Sequence, residues 1–287
     1  MPSNMVIDFH THVFPPWLRE RREEFLRRDA TFRALYANHR AKLATSEELV
    51  EAMDGAGVDR AVLLGIGWTD RELARAANDY LLEAAQRSPD RLVPFCSVDP
   101  SWGEAAVQEV ERCAAGGARG IGELHPDTQG FDITSSEVMG PLMEAARRLR
   151  LLVLTHSSEP VGHQYAGKGQ TSPDKLLSFI HNFPHNTIVC AHWGGGLPFY
   201  ALMPEVAQAL KNVYFDTAAS PFLYDARVFR LGVEMAGQGK VLFATDYPLL
   251  GHRRVMREAE AHLSGRPLED VLWRNAARLL GISPNGV

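Results

Sequence analysis

A single (β/α)8 barrel, the TIM-barrel fold, is the class this sequence predicts, and three observations carry the prediction. Eight apolar runs recur along the 287 residues, each reading as a strand. Amphipathic segments with helix-start signals separate them. Strands that are apolar on both faces, alternating with such helices, call for a parallel sheet covered by helices, and eight units favour closure over an open sheet. Third, no Gly-x-Gly-x-x-Gly follows a strand, which counts against a dinucleotide-binding open sheet. No linker rich in Gly, Pro or Ser divides the chain, so residues 1–287 are expected to form one domain.

The first run, Met5-Val6-Ile7, leads into Asp8-Phe9-His10-Thr11-His12. A polar insertion follows over residues 13–44, strongly charged between Arg19 and Asp29. It reads as a solvated helix. Because Pro15, Pro16 and Trp17 come directly after the histidines, a lid or a homodimer contact is the functional alternative. From Thr45 the rhythm is regular. Thr45 with Glu48 makes a capping box for a helix that Gly55 and Gly57 stop. Strands are expected at 60–65, 92–98, 118–125, 151–156, 187–192, 213–216 and 240–246. Thr69 with Glu72, Ser101 with Glu104 and Thr134 with Glu137 would cap the next three helices, and Pro173 would open another at its favoured first position. Helices near 206–210, 228–235 and 254–263 and a C-terminal one over 268–280 complete the pattern.

Composition narrows the function classes. A hydrophobic content of 45%, a charged content of 23% and a net charge of −5 describe an ordinary globular chain with no pull toward nucleic acid or an anionic membrane. Cys96, Cys113 and Cys190 are widely separated, without a Cys-x-x-Cys pair, and read as free thiols in a reducing compartment. The N-terminus has no basic region followed by a long apolar stretch, and no run of 18 apolar residues occurs, so a cytoplasmic location is expected.

Chemistry-bearing residues gather at the predicted strand ends. Side chains alternate faces along a strand, so His10 and His12 point the same way. Glu123 and His125 share a face by the same spacing, and His156, His192 and Asp246 end three later strands. In a barrel these ends converge on one pocket. Every one of these side chains is a metal ligand or a proton-transfer group. Any one alone is more simply a helix cap or a hydrogen-bonded core residue; their arrival at one end of five strands points to a metal site. His and carboxylate ligands suit zinc and manganese alike.

The order His10-Thr11-His12, His156, His192 and Ala244-Thr245-Asp246-Tyr247-Pro248 resembles the amidohydrolase superfamily, in particular the branch that includes aminocarboxymuconate semialdehyde decarboxylase. The resemblance extends to Asn212-Val213-Tyr214-Phe215-Asp216-Thr217 and to Asn275-Ala276-Ala277-Arg278-Leu279-Leu280-Gly281. It implies that His10, His12, His156 and Asp246 bind zinc or a similar divalent ion, and that His192 holds the metal-bound water or shuttles a proton. Many members of this branch have a lysine where this chain has Glu123. A glutamate there would bridge two ions, the second held by His156 and His192, or would pair with a neighbouring histidine.

On these residues the leading expectation is a metal-dependent hydrolase of a small amide, ester or lactone, with one or two ions. In it Asp246 takes the proton of the attacking water and His192 orients that water. A nonoxidative decarboxylase of an aromatic or unsaturated carboxylic acid is the alternative on nearly the same ligands, and a non-catalytic metal-containing binding protein is the reading from another class. Trp17, His125, His163 and Arg253 are the substrate-binding candidates. Residues 157–171, with Gly162, Gly167 and Gly169, make a loop able to close over substrate.

Overall fold

All eight expected strands form: β1 Ile7–His12, β2 Arg60–Leu64, β3 Leu92–Cys96, β4 Gly120–Leu124, β5 Leu152–Thr155, β6 Ile188–Cys190, β7 Val213–Asp216 and β8 Val241–Leu242, in a computed structural model that describes residues 5–283. Each is parallel to the next, and spatial order equals sequence order. Main-chain bonds close the ring between its ends. Phe9 N donates to the Phe243 carbonyl (2.8 Å), Asp246 N to that of His10 (3.0 Å) and His12 N to that of Tyr247 (2.7 Å).

Strand alternation sorts the apolar residues into two layers. Val62 and Leu64, Val93 and Phe95, Leu152 and Leu154, and Val189 and Ala191 pack together with Ile7 and Phe9 inside the barrel. The intervening Ala61 and Leu63 meet the helix residues Leu49, Met53 and Leu81 outside it. On the far side Ile121, Val153 and Ile188 pack against Val110, Met143 and Leu176. Cys96, Cys113 and Cys190 are buried and free. Among the described residues, no helix is long and apolar enough to cross a membrane.

β8 is shorter than its apolar run, because the C-terminal helix takes over its hydrogen bonds. Phe243 N donates to the Val271 carbonyl (3.0 Å), and Asn275 Nδ2 donates to the carbonyls of Gln238 and Val241. That helix runs Gly265–Glu269, widens into a π turn at Asp270–Arg274, and resumes as Asn275–Leu280.

The insertion is three short helices, Pro16–Glu20, Arg22–Arg28 and Ala30–Tyr36, where the charge pattern suggested one solvated helix. Their charged sides face water, while Leu18, Phe25, Phe32 and Tyr36 bury a satellite core against Ile66, Trp68 and Leu73 beyond β2. Asp29, fully buried, pins them by accepting from Phe32 N (2.7 Å), Thr69 N (2.7 Å) and Asp70 N (2.8 Å).

The capping box at Thr45 and Glu48 forms in full. The other three caps shift by one or two residues toward a better acceptor. Asp70 caps its helix in place of Thr69, whose hydroxyl is drawn to Asp29. Asp99 opens a 3-10 turn ahead of the helix expected at Ser101, and Ser135 stands in for Thr134, whose hydroxyl donates to Asp132. A carboxylate accepts amide hydrogens more strongly than a hydroxyl, which explains the first two shifts.

Phe32 tests how independent the insertion is. It is fully buried and stacks on Trp68, with centroids 5.8 Å apart. Phe32→Ala should cost about 3–5 kcal/mol locally. Because the satellite core is separate from the barrel core, amide protection should fall over residues 13–44 and persist in the strands. Equal loss in both would show one cooperative unit.

Candidate metal centre

His10 and His12 leave β1 at the C-terminal mouth of the barrel, and each ring is held from behind by a group that can only accept. Asp216 Oδ2 lies 2.8 Å from His10 Nδ1, and the Leu64 carbonyl lies 3.2 Å from His12 Nδ1. Both Nδ1 atoms therefore carry hydrogen in the neutral rings, which leaves both Nε2 atoms bare. Those two atoms stand 3.0 Å apart. Two facing lone pairs repel unless a cation, a proton or a metal ion, lies against them. His192 is set the same way, its Nδ1 3.2 Å from the Ala218 carbonyl.

Two carboxylates face these nitrogens, Glu123 buried and Asp246 half-buried. Glu123 Oε2 is 3.6 Å from His10 Nε2 and 3.7 Å from His12 Nε2, and its other oxygen is 3.6 Å from His192 Nε2. Asp246 Oδ1 is 3.4 Å from His12 Nε2 and 3.8 Å from His10 Nε2. The donor atoms form two overlapping sets, His10–His12–Asp246 and His10–Glu123–His192, each within 4.8 Å. Three imidazoles with bare nitrogens and two carboxylates fit a divalent ion. His156 lies behind Glu123, outside both sets. Its Nδ1 is 3.0 Å from Glu123 Oε1, and its Nε2 faces the Ser158 hydroxyl at 3.4 Å.

The backbone is bent to make this arrangement. β6 stops at Cys190, and His192 and Trp193 follow with φ of 55° and 57°, left-handed values that side chains resist. Asp216 Oδ1 holds the bend by accepting from His192 N at 2.9 Å. The turn continues through Gly195, where a Cβ would sit 2.4 Å from the Ser158 carbonyl, so only glycine lets it pack on the loop after β5. Asp8 anchors the other flank. It accepts from the amides of His10 and Thr245 (both 3.1 Å), from the Thr245 hydroxyl (2.5 Å) and from His252 Nδ1 (2.9 Å).

Charge in the cluster is coupled. Burial opposes protonation of His10, but the carboxylates of Asp216 and Glu123 overcome it and raise its pKa well above the usual imidazole range. His192 is pushed up to about 9: burial opposes this, while Glu123 and Asp246 raise it. Burial works against ionised Glu123 and Asp246, yet the surrounding histidines hold both carboxyls below their ordinary range. His125 goes the other way. Burial, reinforced by His156, lowers it to about 3.

A cavity of about 480 Å³ lies over the donors. Its walls include Leu35 and Tyr36 from the insertion, Phe222, Leu223 and Leu249 from loops after β7 and β8, and His163 and Tyr165 from the loop after β5. His125 lines it, and so does Lys42. Trp17 and Arg253 do not. The Trp17 ring packs on Phe25 (5.2 Å) inside the insertion, and Arg253 Nε donates to the Gly55 carbonyl (3.0 Å) on the barrel's outside, because its helix has already turned away from the mouth. His252, next to Arg253, is buried on Asp8. Sequence reasoning gave no role to Asp8, Asp216 or Tyr36. Asp8 carried a signal, since it shares the even spacing of His10 and His12. The partners of Asp216 are 206 and 24 residues away, and no local pattern announces them.

The family model described as amidohydrolase matches residues 7–282, and the chain belongs to that family. Among curated proteins it is 24% identical over 245 residues to 2-amino-3-carboxymuconate-6-semialdehyde decarboxylase of Dictyostelium discoideum, covering 75% of this chain and 68% of the other. It is 24% identical over 298 residues to 6-methylsalicylic acid decarboxylase of Penicillium expansum, covering 88% and 87%. Among solved structures, 5-carboxyvanillate decarboxylase from Sphingomonas paucimobilis superposes with a TM-score of 0.80 at 19% identity, over 98% of this chain and 100% of that one. A dihydroxybenzoic acid decarboxylase from Polaromonas, with bound manganese and 2-nitroresorcinol, gives 0.76 at 20% identity, over 98% of each chain.

Two outcomes test the centre. Asp216→Asn places an amide NH2 toward His10 Nδ1, which favours the tautomer that caps Nε2 with hydrogen. Metal affinity in a chelator competition should fall about 10–100-fold with far-UV circular dichroism unchanged, and an unaltered affinity would remove Asp216 from this role. The protons that His10 and His192 retain at neutral pH must also leave when metal enters. Calorimetry at pH 7 in buffers of different ionisation enthalpy should therefore record proton release, and affinity should rise as pH climbs toward the His192 value of about 9. Uptake without proton release would contradict the raised pKa values.

Proposed function

We propose that this amidohydrolase is a nonoxidative, metal-dependent decarboxylase of an aromatic or unsaturated carboxylic acid. The observation that carries the reading is the identity of its relatives, which decarboxylate acids of this kind and align over most of the chain. The cavity supports it: Tyr36, Phe222, Leu223 and Leu249 offer apolar walls to a flat substrate above a floor of histidines and carboxylates suited to an ion. Both donor sets use His10 Nε2, and one nitrogen serves one ion, so a single ion accounts for them. Glu123 is already engaged with His156. The bridged pair of ions, which spoke for hydrolysis of an amide, ester or lactone, loses its support.

His10, His12 and Asp246 hold the ion in this reading, with Glu123 and His192 facing it from the other side. Zinc and manganese both suit these ligands. When bound, the ion supplies positive charge for the substrate's oxygens and for the negative charge that builds up as carbon dioxide leaves. The carbon–carboxyl bond breaks, its electron pair stays on the substrate carbon, and a proton takes the vacated position. Asp246 handles that proton. It is held ionised, so it first collects a proton from the substrate's acidic group and then returns it to carbon. His192, its Nε2 3.6 Å from Glu123, lines the cavity beside these groups and orients the carboxyl group for departure.

Loaded with manganese or zinc, the enzyme should release carbon dioxide from members of a panel of aromatic and unsaturated acids and leave esters, amides and lactones intact. Asp246→Asn should lower kcat by about 10²–10⁴-fold without altering circular dichroism. Elemental analysis should find one ion per chain. Turnover of a lactone or amide with no carbon dioxide released, or two ions per chain, would return hydrolysis to first place.

A further inference from the structure

Of the cavity histidines that this chemistry leaves unused, His125 is the buried one, whereas His163 is exposed. His125 follows β4, is 1% exposed, and neither ring nitrogen has a hydrogen-bond partner among the described residues. A buried imidazole with both nitrogens unmatched is rare in a folded protein, because each unmet group forfeits the bond it made to water. Its ring is not free to search for one. It lies flat on His156, with centroids 4.0 Å apart and planes 13° apart, and that stack places it one ring away from Glu123. From the other side the loop after β5 comes down on it. A Cβ at Gly167 would lie 3.4 Å from His125 Nε2 and 2.5 Å from Leu35 Cδ2, so this loop and the insertion meet directly over the ring. Asp127 secures the same loop, accepting from Gln170 N (2.8 Å) and the Thr171 hydroxyl (2.7 Å).

We propose that His125 is a specificity-determining residue that hydrogen-bonds a hydroxyl substituent of the substrate beside its carboxylate. This rests on the cavity being the substrate site of the decarboxylase reading. The choice of a hydroxyl follows from the ring's chemistry. The ring lines the cavity, and a neutral imidazole carries an N–H on one nitrogen and a bare lone pair on the other, with the tautomer deciding which. A hydroxyl satisfies either one, whereas a carboxylate satisfies only the N–H and an ammonium only the bare nitrogen. Among the described residues, no carboxylate or second donor competes for these nitrogens.

Calorimetric binding of 2-hydroxybenzoate and benzoate to the manganese-loaded protein tests the assignment without requiring turnover. Wild type should bind 2-hydroxybenzoate about tenfold more tightly than benzoate, the size of one buried hydrogen bond. His125→Phe keeps the stack on His156 and removes both nitrogens. It should erase the preference while leaving benzoate affinity and manganese content at wild-type levels. His125→Asn, which restores a donor and an acceptor, should recover part of the preference. A preference that survives in His125→Phe, its absence in wild type, or loss of manganese from His125→Phe would each overturn the assignment. The preference without carbon dioxide from any aromatic acid would sink the decarboxylase reading and leave His125 standing. Carbon dioxide without the preference would do the reverse.

Discussion

The mouth of this barrel depends on the buried carboxylate of Asp216. One oxygen holds His10 Nδ1, and the other accepts from the amides of His192 and Ala218, so a single side chain joins β1, the turn after β6 and the segment after β7. Burying a charge is unfavourable unless its hydrogen-bonding capacity is filled, and here it is filled by groups that must be placed for chemistry. The same contact that offsets the desolvation of Asp216 selects the His10 tautomer and holds His192 in a left-handed conformation. Asp8 does comparable service one strand away, tying His10 to Thr245 and so to the residue before Asp246.

From that constraint follows a cluster built for positive charge. With their Nδ1 hydrogens committed to acceptors, His10, His12 and His192 present bare nitrogens toward Glu123 and Asp246. Left to itself the cluster recruits protons, and this is why His10 and His192 hold theirs so firmly. A metal ion satisfies the same demand with more charge. Proton affinity and metal affinity are thus two readings of one electrostatic design.

Substrate selection is assigned to different parts of the chain. The barrel supplies the floor, whereas the walls come from segments inserted between regular elements: the three-helix insertion after β1, the loop after β5 and the short turns after β7 and β8. The insertion carries its own small apolar core, so it can be rigid where Leu35 and Tyr36 reach the cavity while remaining outside the barrel's packing. Such a division lets the floor stay constant while the walls change, which is how one barrel architecture serves many functions.

By itself, the sequence determined the barrel, the strand order and the gathering of His10, His12, Glu123, His125, His156, His192 and Asp246 at one end. Those follow from local periodicity and from the geometry that any parallel barrel imposes on its strand ends. It could not say which donor atoms come together. His10 and His156 look alike in sequence, yet one shows a bare nitrogen to the centre and the other spends its Nδ1 on Glu123. Trp17 and Arg253 were close to the motif residues in number and far from the cavity in space, because helix direction, not sequence distance, decides where a side chain ends. Only the tertiary structure decided these matters, since tautomer, stacking and burial are set by acceptors that lie up to 206 residues away.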